Sequence, residues 1–284
     1  MKKSKPLATF ARTLEVKLLA MMTFSLLLMS FECNKEVDMV MDDATKEEQP
    51  DGEENQNGDP SQSSPFEKVT RITPGGIKAG DFFGFDIVAT SQLTAVSAPF
   101  SDDKGQRSGA VYIFKREGTQ FENTAHTLYI DNPTNEDNFG WSMAMDGDLL
   151  VVGAPKNDKY GENAGLALIF EHQGGNQWSL IKELKAPNAH PGQLFGDAVS
   201  VYGGTIAIAA QFDEDNYYDE GNINNGAGFA QGSVYLYSST TDWEFAQKLL
   251  PKEGQGHKWD AFGTSVILNE QYLLVGAKGT DNTT

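Results

Sequence analysis

The sequence predicts an all-β protein, a β-propeller of four-stranded antiparallel blades, and three observations carry that prediction. Phe-Gly recurs at 83/84, 139/140, 195/196 and 262/263, two equal steps and then a longer one; self-similarity at such a period marks a repeat architecture. Each copy holds short runs rich in Val, Ile, Tyr and Phe, bounded by Gly, Asn and Asp, which is the signal for strands. No amphipathic helical pattern follows residue 66. Four short strands joined by tight turns make a sheet that cannot bury both faces alone, and radial stacking of copies solves that problem.

Each element follows from its residues. Strand D precedes each Phe-Gly and begins at Phe66, Phe121, Trp178 and Trp243, at a nearly constant distance ahead of the next Phe-Gly phenylalanine. Strand A follows Phe-Gly at 85–90, 141–145, 197–202 and 264–268. Strand B is short and apolar at 93–97, 149–152, 205–209 and 272–275. Strand C reads AVYIF at 110–114, LALIF at 166–170 and SVYLY at 233–237. The A–B connections are tight, and Asp146-Gly147-Asp148 has the chemistry of a hairpin turn. Counting gives fifteen strands, about three and a half blades. The lone first D strand suggests closure by strands from the two ends of the chain. The ring is expected to be incomplete, truncated at the C-terminus or completed by another chain, because bare sheet edges are a liability. A four-bladed ring lacking one strand is the alternative.

Residues 1–33 read as a signal peptide. Lys2, Lys3, Lys5, Arg12 and Lys17 precede an uncharged run at 18–31, the length of a signal core rather than of a membrane span. The only cysteine, Cys33, follows, so no disulfide forms within the chain. Basic start, apolar core and cysteine together resemble a bacterial lipoprotein precursor, which implies lipid attachment at Cys33, although Glu32 stands where that pattern has a small residue. The alternative is an incidental thiol behind an uncleaved anchor. Residues 34–65 read as an acidic, disordered linker: residues 34–66 hold ten acidic and two basic side chains, with few apolar groups to offset ordering entropy. Residues 66–284 are the folded part.

The repeat now carries a specific resemblance. Phe-Gly, about a dozen residues, Gly-Ala-Pro, then Gly-x-Val-Tyr-x-Phe resembles the FG-GAP repeat of integrin α-subunit propellers and bacterial surface proteins. Phe139-Gly140 with Gly153-Ala154-Pro155 is the full form; Ser97-Ala98-Pro99, Ala209-Ala210-Gln211 and Gly276-Ala277-Lys278 are drifted copies. The resemblance implies a seven-bladed ring and a ligand-binding face at the B–C and D–A loops. It also implies calcium loops between strands A and B. Here those turns are too short to supply the six to eight oxygens that calcium takes, so no metal or other cofactor is expected.

In an up-and-down sheet the B–C loops (101–109, 156–165 and 211–232) and the D–A loops (131–138, 186–194 and 251–261) share one face. Long loops on a rigid scaffold are where binding resides. The longest holds Asp213, Glu214, Asp215, Asp219 and Glu220 with Tyr217 and Tyr218. Tyrosines beside hydrogen-bonding groups suit a protein or glycan ligand. A solvated acidic loop, or a metal loop with a broken pattern, is the plainer reading. His190 and His257 each stand five positions before a Phe-Gly phenylalanine, as ligand contacts or as surface residues. Trp259 is the tryptophan of a D–A loop and the stacking candidate; Trp178, Trp243 and Phe121 read as packing.

Net charge is −18, with +3 on residues 1–32, −8 on the linker and −13 on the repeats. Such a surface repels nucleic acid and anionic membranes, leaving the N-terminal anchor as the membrane contact. No nucleophile elbow, zinc motif or phosphate loop is present. The expectation is therefore a non-enzymatic module exported to the cell envelope, adhering to a protein or glycan. The alternatives are a carbohydrate-active enzyme using loop carboxylates and a structural module without its own ligand.

Overall fold

The computed structural model describes residues 37–41, 68–117, 120–121, 126–214, 231–251 and 260–279. They belong to the unit Cys33–Thr284, distinct from Met1–Glu32. Among them there is no α-helix, only a 3₁₀ turn at Ser239–Thr241.

Strands β1 (Val37–Met41) and β2 (Lys68–Ile72) pair antiparallel. The first blade holds β3 (Ile87–Ala89), β4 (Leu93–Ala98) and β5 (Ala110–Glu117), with β6 (Gln120–Phe121) and β7 (His126–Leu128) both pairing with β5 as its outer strand. The second blade runs β8 (Ser142–Asp146), β9 (Leu149–Ala154), β10 (Leu166–His172) and β11 (Trp178–Leu184). The third runs β12 (Val199–Tyr202), β13 (Thr205–Ala210), β14 (Ser233–Ser238) and β15 (Glu244–Leu249). A partial fourth blade pairs β16 (Phe262–Leu268) with β17 (Leu273–Ala277). The architecture is thus all-β, with three full blades and one partial blade of an incomplete propeller.

Two details depart from the sequence expectation. Val-Asp-Met-Val-Met within the acidic stretch is apolar and β-favouring enough to form β1. The first D strand, β2, then takes β1 as its partner rather than a strand from the other end of the chain.

Blades meet through alternate residues of each strand, because side chains on a strand point to opposite faces. Between the first and second blades lie Ala95, Val111, Ile113 and Leu128 against Phe139, Met143, Val152 and Leu168. Between the second and third lie Val151, Ala167 and Ile169 against Phe195, Ile206, Ile208 and Tyr235. Ala207, Ala209 and Val234 meet Val266 of the fourth. Leu274 holds the register position of Ala95, Val151 and Ala207, the position each preceding blade covers with its neighbour. It is 52% exposed, and Ile267 opposite it on β16 is 60% exposed.

The Phe-Gly motif is the seam between blades. The N–H groups of Phe139, Phe195 and Phe262 donate to the carbonyls of Ser108, Ala164 and Gln231 on the preceding blade, at 3.0, 2.9 and 2.8 Å. Donor and acceptor keep the same sequence offset in all three pairs. Within a blade, Gly84, Gly140 and Gly196 donate to the carbonyls of Ser97, Gly153 and Ala209, again at one constant offset. Backbones approach so closely here that a β-carbon on Gly140 would sit 2.9 Å from Ser97 Cβ of the neighbouring blade. What varies is the distance from the Gly-Ala-Pro position to the seam acceptor: 97 to 108 and 153 to 164 in two repeats, but 209 to 231 in the third. The longer third period lies wholly in that B–C loop.

The A strands are innermost, since β3, β8, β12 and β16 neighbour one another across blades. Their bonds run from blade to blade. Asp86 accepts from the Met143 N–H at 2.7 Å, Asp146 from the Gly203 N–H at 2.7 Å, and Ser200 from the Leu268 N–H at 2.9 Å.

Candidate functional site

The B–C and D–A loops converge on one face, and two side-chain groups organise it. The first centres on Asp213, four positions past Ala209, where the earlier repeats carry Ser101 and Asn157. All three are buried. The local turn explains why: the Ser101, Asn157 and Asp213 N–H groups donate back to Ala98, Ala154 and Ala210 at 3.1–3.2 Å, and their carbonyls accept from Gly109, Gly165 and Gly232. That fold-back drives the side chain inward.

In the third repeat the inward group is a carboxylate. Its Oδ1 lies 3.1 Å from His190 Nε2, and its Oδ2 lies 2.7 Å from Lys248 Nζ and accepts from the Ser233 and Tyr235 hydroxyls. Burial alone would raise the Asp213 pKa. The bonds from His190, Lys248 and Ser233 outweigh it and hold the carboxyl well below the usual range. For His190, burial works to lower the pKa, while the bonds to Asp213 and to the Pro191 carbonyl raise it above its ordinary value. Lys248 also stands 4.8 Å over the Tyr235 ring, and the Tyr235 hydroxyl reaches Asn188 of the D–A loop at 2.9 Å.

The structure therefore joins two residues that the sequence left apart. His190 is no simple surface residue: its side chain is 13% exposed and braces the D–A loop against the base of the longest B–C loop. Asp213 is a buried anchor rather than an exposed contact. Asp215, Tyr217, Tyr218, Asp219, His257, Trp259 and Cys33 lie outside the described residues.

The second group was not anticipated. Phe85, Trp141, Asp197 and Thr264 each follow a Phe-Gly, so they ring the inner end of this face. Phe85 and Trp141 pack at 4.9 Å between centroids with their planes tilted by 42°, Phe82 meets Phe100 edge-on at 4.9 Å, and Phe100 stands 6.2 Å from Trp141. The Arg107 guanidinium lies 5.6 Å over Phe100. Next in the ring, Asp197 accepts side-chain hydrogen bonds from Trp141 and Gln211, with Lys278 nearby. Lys278 Nζ also donates to Gln211 Oε1 at 3.2 Å. Burial is the largest influence on Asp197 and pushes its pKa up to about 6.

A third set, Asp81, Asp137, Gln193 and Asp260, is buried two positions before each Phe-Gly phenylalanine. Asp81 and Asp137 accept from the N–H three positions back, at 2.7 and 2.8 Å, which shapes the D–A loop. Their fixed offset from Phe-Gly is the signal that would have found them.

The A–B turn of the second blade does not fit a calcium loop. Asp146 and Leu149 are paired, leaving a two-residue hairpin. Asp146 is committed to the Gly203 N–H, and Asp148 faces His172 at 3.2 Å. Among the described residues no group of three or more His, Cys, Asp or Glu side chains is placed to hold a metal ion. Nor is any helix among them long and apolar enough to cross a membrane.

Stacked four-stranded blades, Phe-Gly seams and a face of long loops define a repeat β-propeller of the binding-module class. The family follows from comparison: the FG-GAP repeat model matches residues 66–114, 128–170 and 178–237, more than half of the chain, and the chain belongs to that family. A search of curated proteins found no match.

Proposed function

We propose that this protein is an exported, envelope-held, non-enzymatic adhesion module that binds a protein or glycan through its B–C and D–A loops. The observation that carries this reading is the Asp213–His190 bond at 3.1 Å. It ties one loop of each set into a single braced surface, and a preorganised surface loses less entropy on binding. Tyr217, Tyr218 and Trp259 supply aromatic contacts to that surface, and Asp215, Asp219 and His257 supply polar ones. The basic and apolar N-terminus with Cys33 directs export and lipid attachment. The exposed Ile267 and Leu274 favour cover by a further FG-GAP blade.

The test is binding of the full chain to arrays of neutral glycans and of envelope proteins, compared with a Tyr217→Ala, Tyr218→Ala, Trp259→Ala variant. Loss of a binding signal in the variant supports the reading; unchanged binding moves the ligand away from these loops. Incorporation of an alkyne-tagged fatty acid that disappears in Cys33→Ser tests the anchor.

A further inference from the structure

The ring of residues that follow Phe-Gly changes character around the face. Where the first repeat places Phe82, the others have Asn138, Leu194 and Ala261; where the first two place Phe85 and Trp141, the others have Asp197 and Thr264. The seam bonds of Phe195 and Phe262 form in repeats that lack these rings, so packing does not require them. Phe82 nevertheless stays 47% exposed and Phe85 42% exposed, held in place by Phe100 and Trp141. At the end of this platform stand a carboxylate, a carboxamide and an amine: Asp197, Gln211 and Lys278.

We propose that this row is a carbohydrate-stacking subsite, taking one or two pyranose rings of a neutral glycan against Phe82, Phe85 and Trp141, with Asp197 and Lys278 meeting the hydroxyls and the buried Gln211 holding that pair in place. The assignment rests on the binding-module reading above and names its ligand class. A pyranose ring has an apolar C–H face and a hydroxyl rim, matching a cluster of partly exposed, mutually tilted aromatic rings beside mixed donors and acceptors.

Size separates this ligand from a protein partner. An aromatic side chain carries about 150–250 Å² of surface, so the uncovered parts of Phe82 and Phe85 amount to roughly 200 Å². A stable protein interface covers about 800 Å² on each partner. Charge separates it from ionic ligands. Arg107 and Lys278 flank the two ends of the row, and Lys278 already stands beside the Asp197 carboxyl, so a basic side chain is poorly served. The overall charge of −18 works against an acidic sugar.

The experiment is affinity electrophoresis of the full chain through gels containing β-1,3-glucan, xylan, galactomannan or hydroxyethylcellulose, with immobilised polylysine as the cationic comparison. At least one neutral polysaccharide is expected to retard the protein. The Phe82→Ala, Phe85→Ala variant should weaken that binding at least tenfold while melting like the parent. Phe85→Leu, which keeps apolar volume but loses the flat ring, should weaken it too. Unchanged retardation in both variants overturns the proposal, as does retardation by none of the four polysaccharides, or polylysine captured through the same rings. Glycan binding lost only in the Tyr217, Tyr218, Trp259 alanine variant also overturns it, while leaving the loop-face reading standing.

Discussion

Gly165 and Gly147 offer a controlled comparison of what the seam contributes. Both have positive φ, +78° and +59°, yet a β-carbon on Gly147 meets nothing within 4 Å. One on Gly165 would overlap the Phe195 carbonyl oxygen and stand 2.7 Å from both the Phe195 nitrogen and the Pro155 oxygen. Gly147→Ala should therefore cost only the left-handed strain of an L residue, about 1–2 kcal/mol. Gly165→Ala adds the displacement of Phe195, which is fully buried and bonded to Ala164. Dislodging a buried phenylalanine is comparable to truncating it, about 3–5 kcal/mol, with about 1 kcal/mol more for the lost hydrogen bond. At about 2–4 °C per kcal/mol for a domain of this size, Gly147→Ala should lower Tm by roughly 2–8 °C and Gly165→Ala by at least about 10 °C. Thermal unfolding followed by far-UV circular dichroism on the full chain reads both. Melting points within about 2 °C of each other would refute the claim that backbone contact at the seam holds the blades together.

Four further outcomes follow from the same geometry. Asp213→Ala leaves His190 and Lys248 facing each other without a counter-charge, and should cost about 3–5 kcal/mol in urea unfolding. The pH signs are opposite for the pair: stability from the lowered Asp213 is present above about pH 4 and lost as pH falls, while stability from the raised His190 is present below about pH 6.5 and lost as pH rises through its folded pKa. His190→Gln should thus remove the alkaline loss and leave the acid loss, in a pH series of urea midpoints. Asp197 is raised to about 6, so ionising it weakens the fold as pH climbs from 4 to 7. Asp197→Asn should accordingly gain up to roughly 2–3 kcal/mol at pH 7 and nothing at pH 4, and an equal effect at both would exclude the burial explanation. Asp86→Ala removes the acceptor of the Met143 N–H and should cost about 1–2 kcal/mol in the same assay.

The blades were legible because their signals are local. Glycines at fixed offsets mark where chains must touch, and runs such as Ala110-Val-Tyr-Ile-Phe114 mark strands whatever surrounds them. β1 was hidden because Val-Asp-Met-Val-Met sits among acidic residues, and composition over a long window outweighs five apolar-patterned positions. The site was less legible because its pairings span repeats. Asp213 meets His190 only once two loops fold over one edge, and Trp141 reaches Asp197 from the repeat before. No spacing within a single loop announces either contact, although the common offset from Phe-Gly holds the information once the repeats are superposed.

The constant interval between each seam acceptor and its donor has a consequence for how such chains diversify. Length variation is quarantined in the stretch between Gly-Ala-Pro and the glycine that opens the third strand. The third repeat already shows this, lodging a longer insert there than its neighbours while every seam partner keeps its place. That loop is therefore an open address: new sequence can be written into it, by selection or by grafting, without renegotiating the fold that displays it.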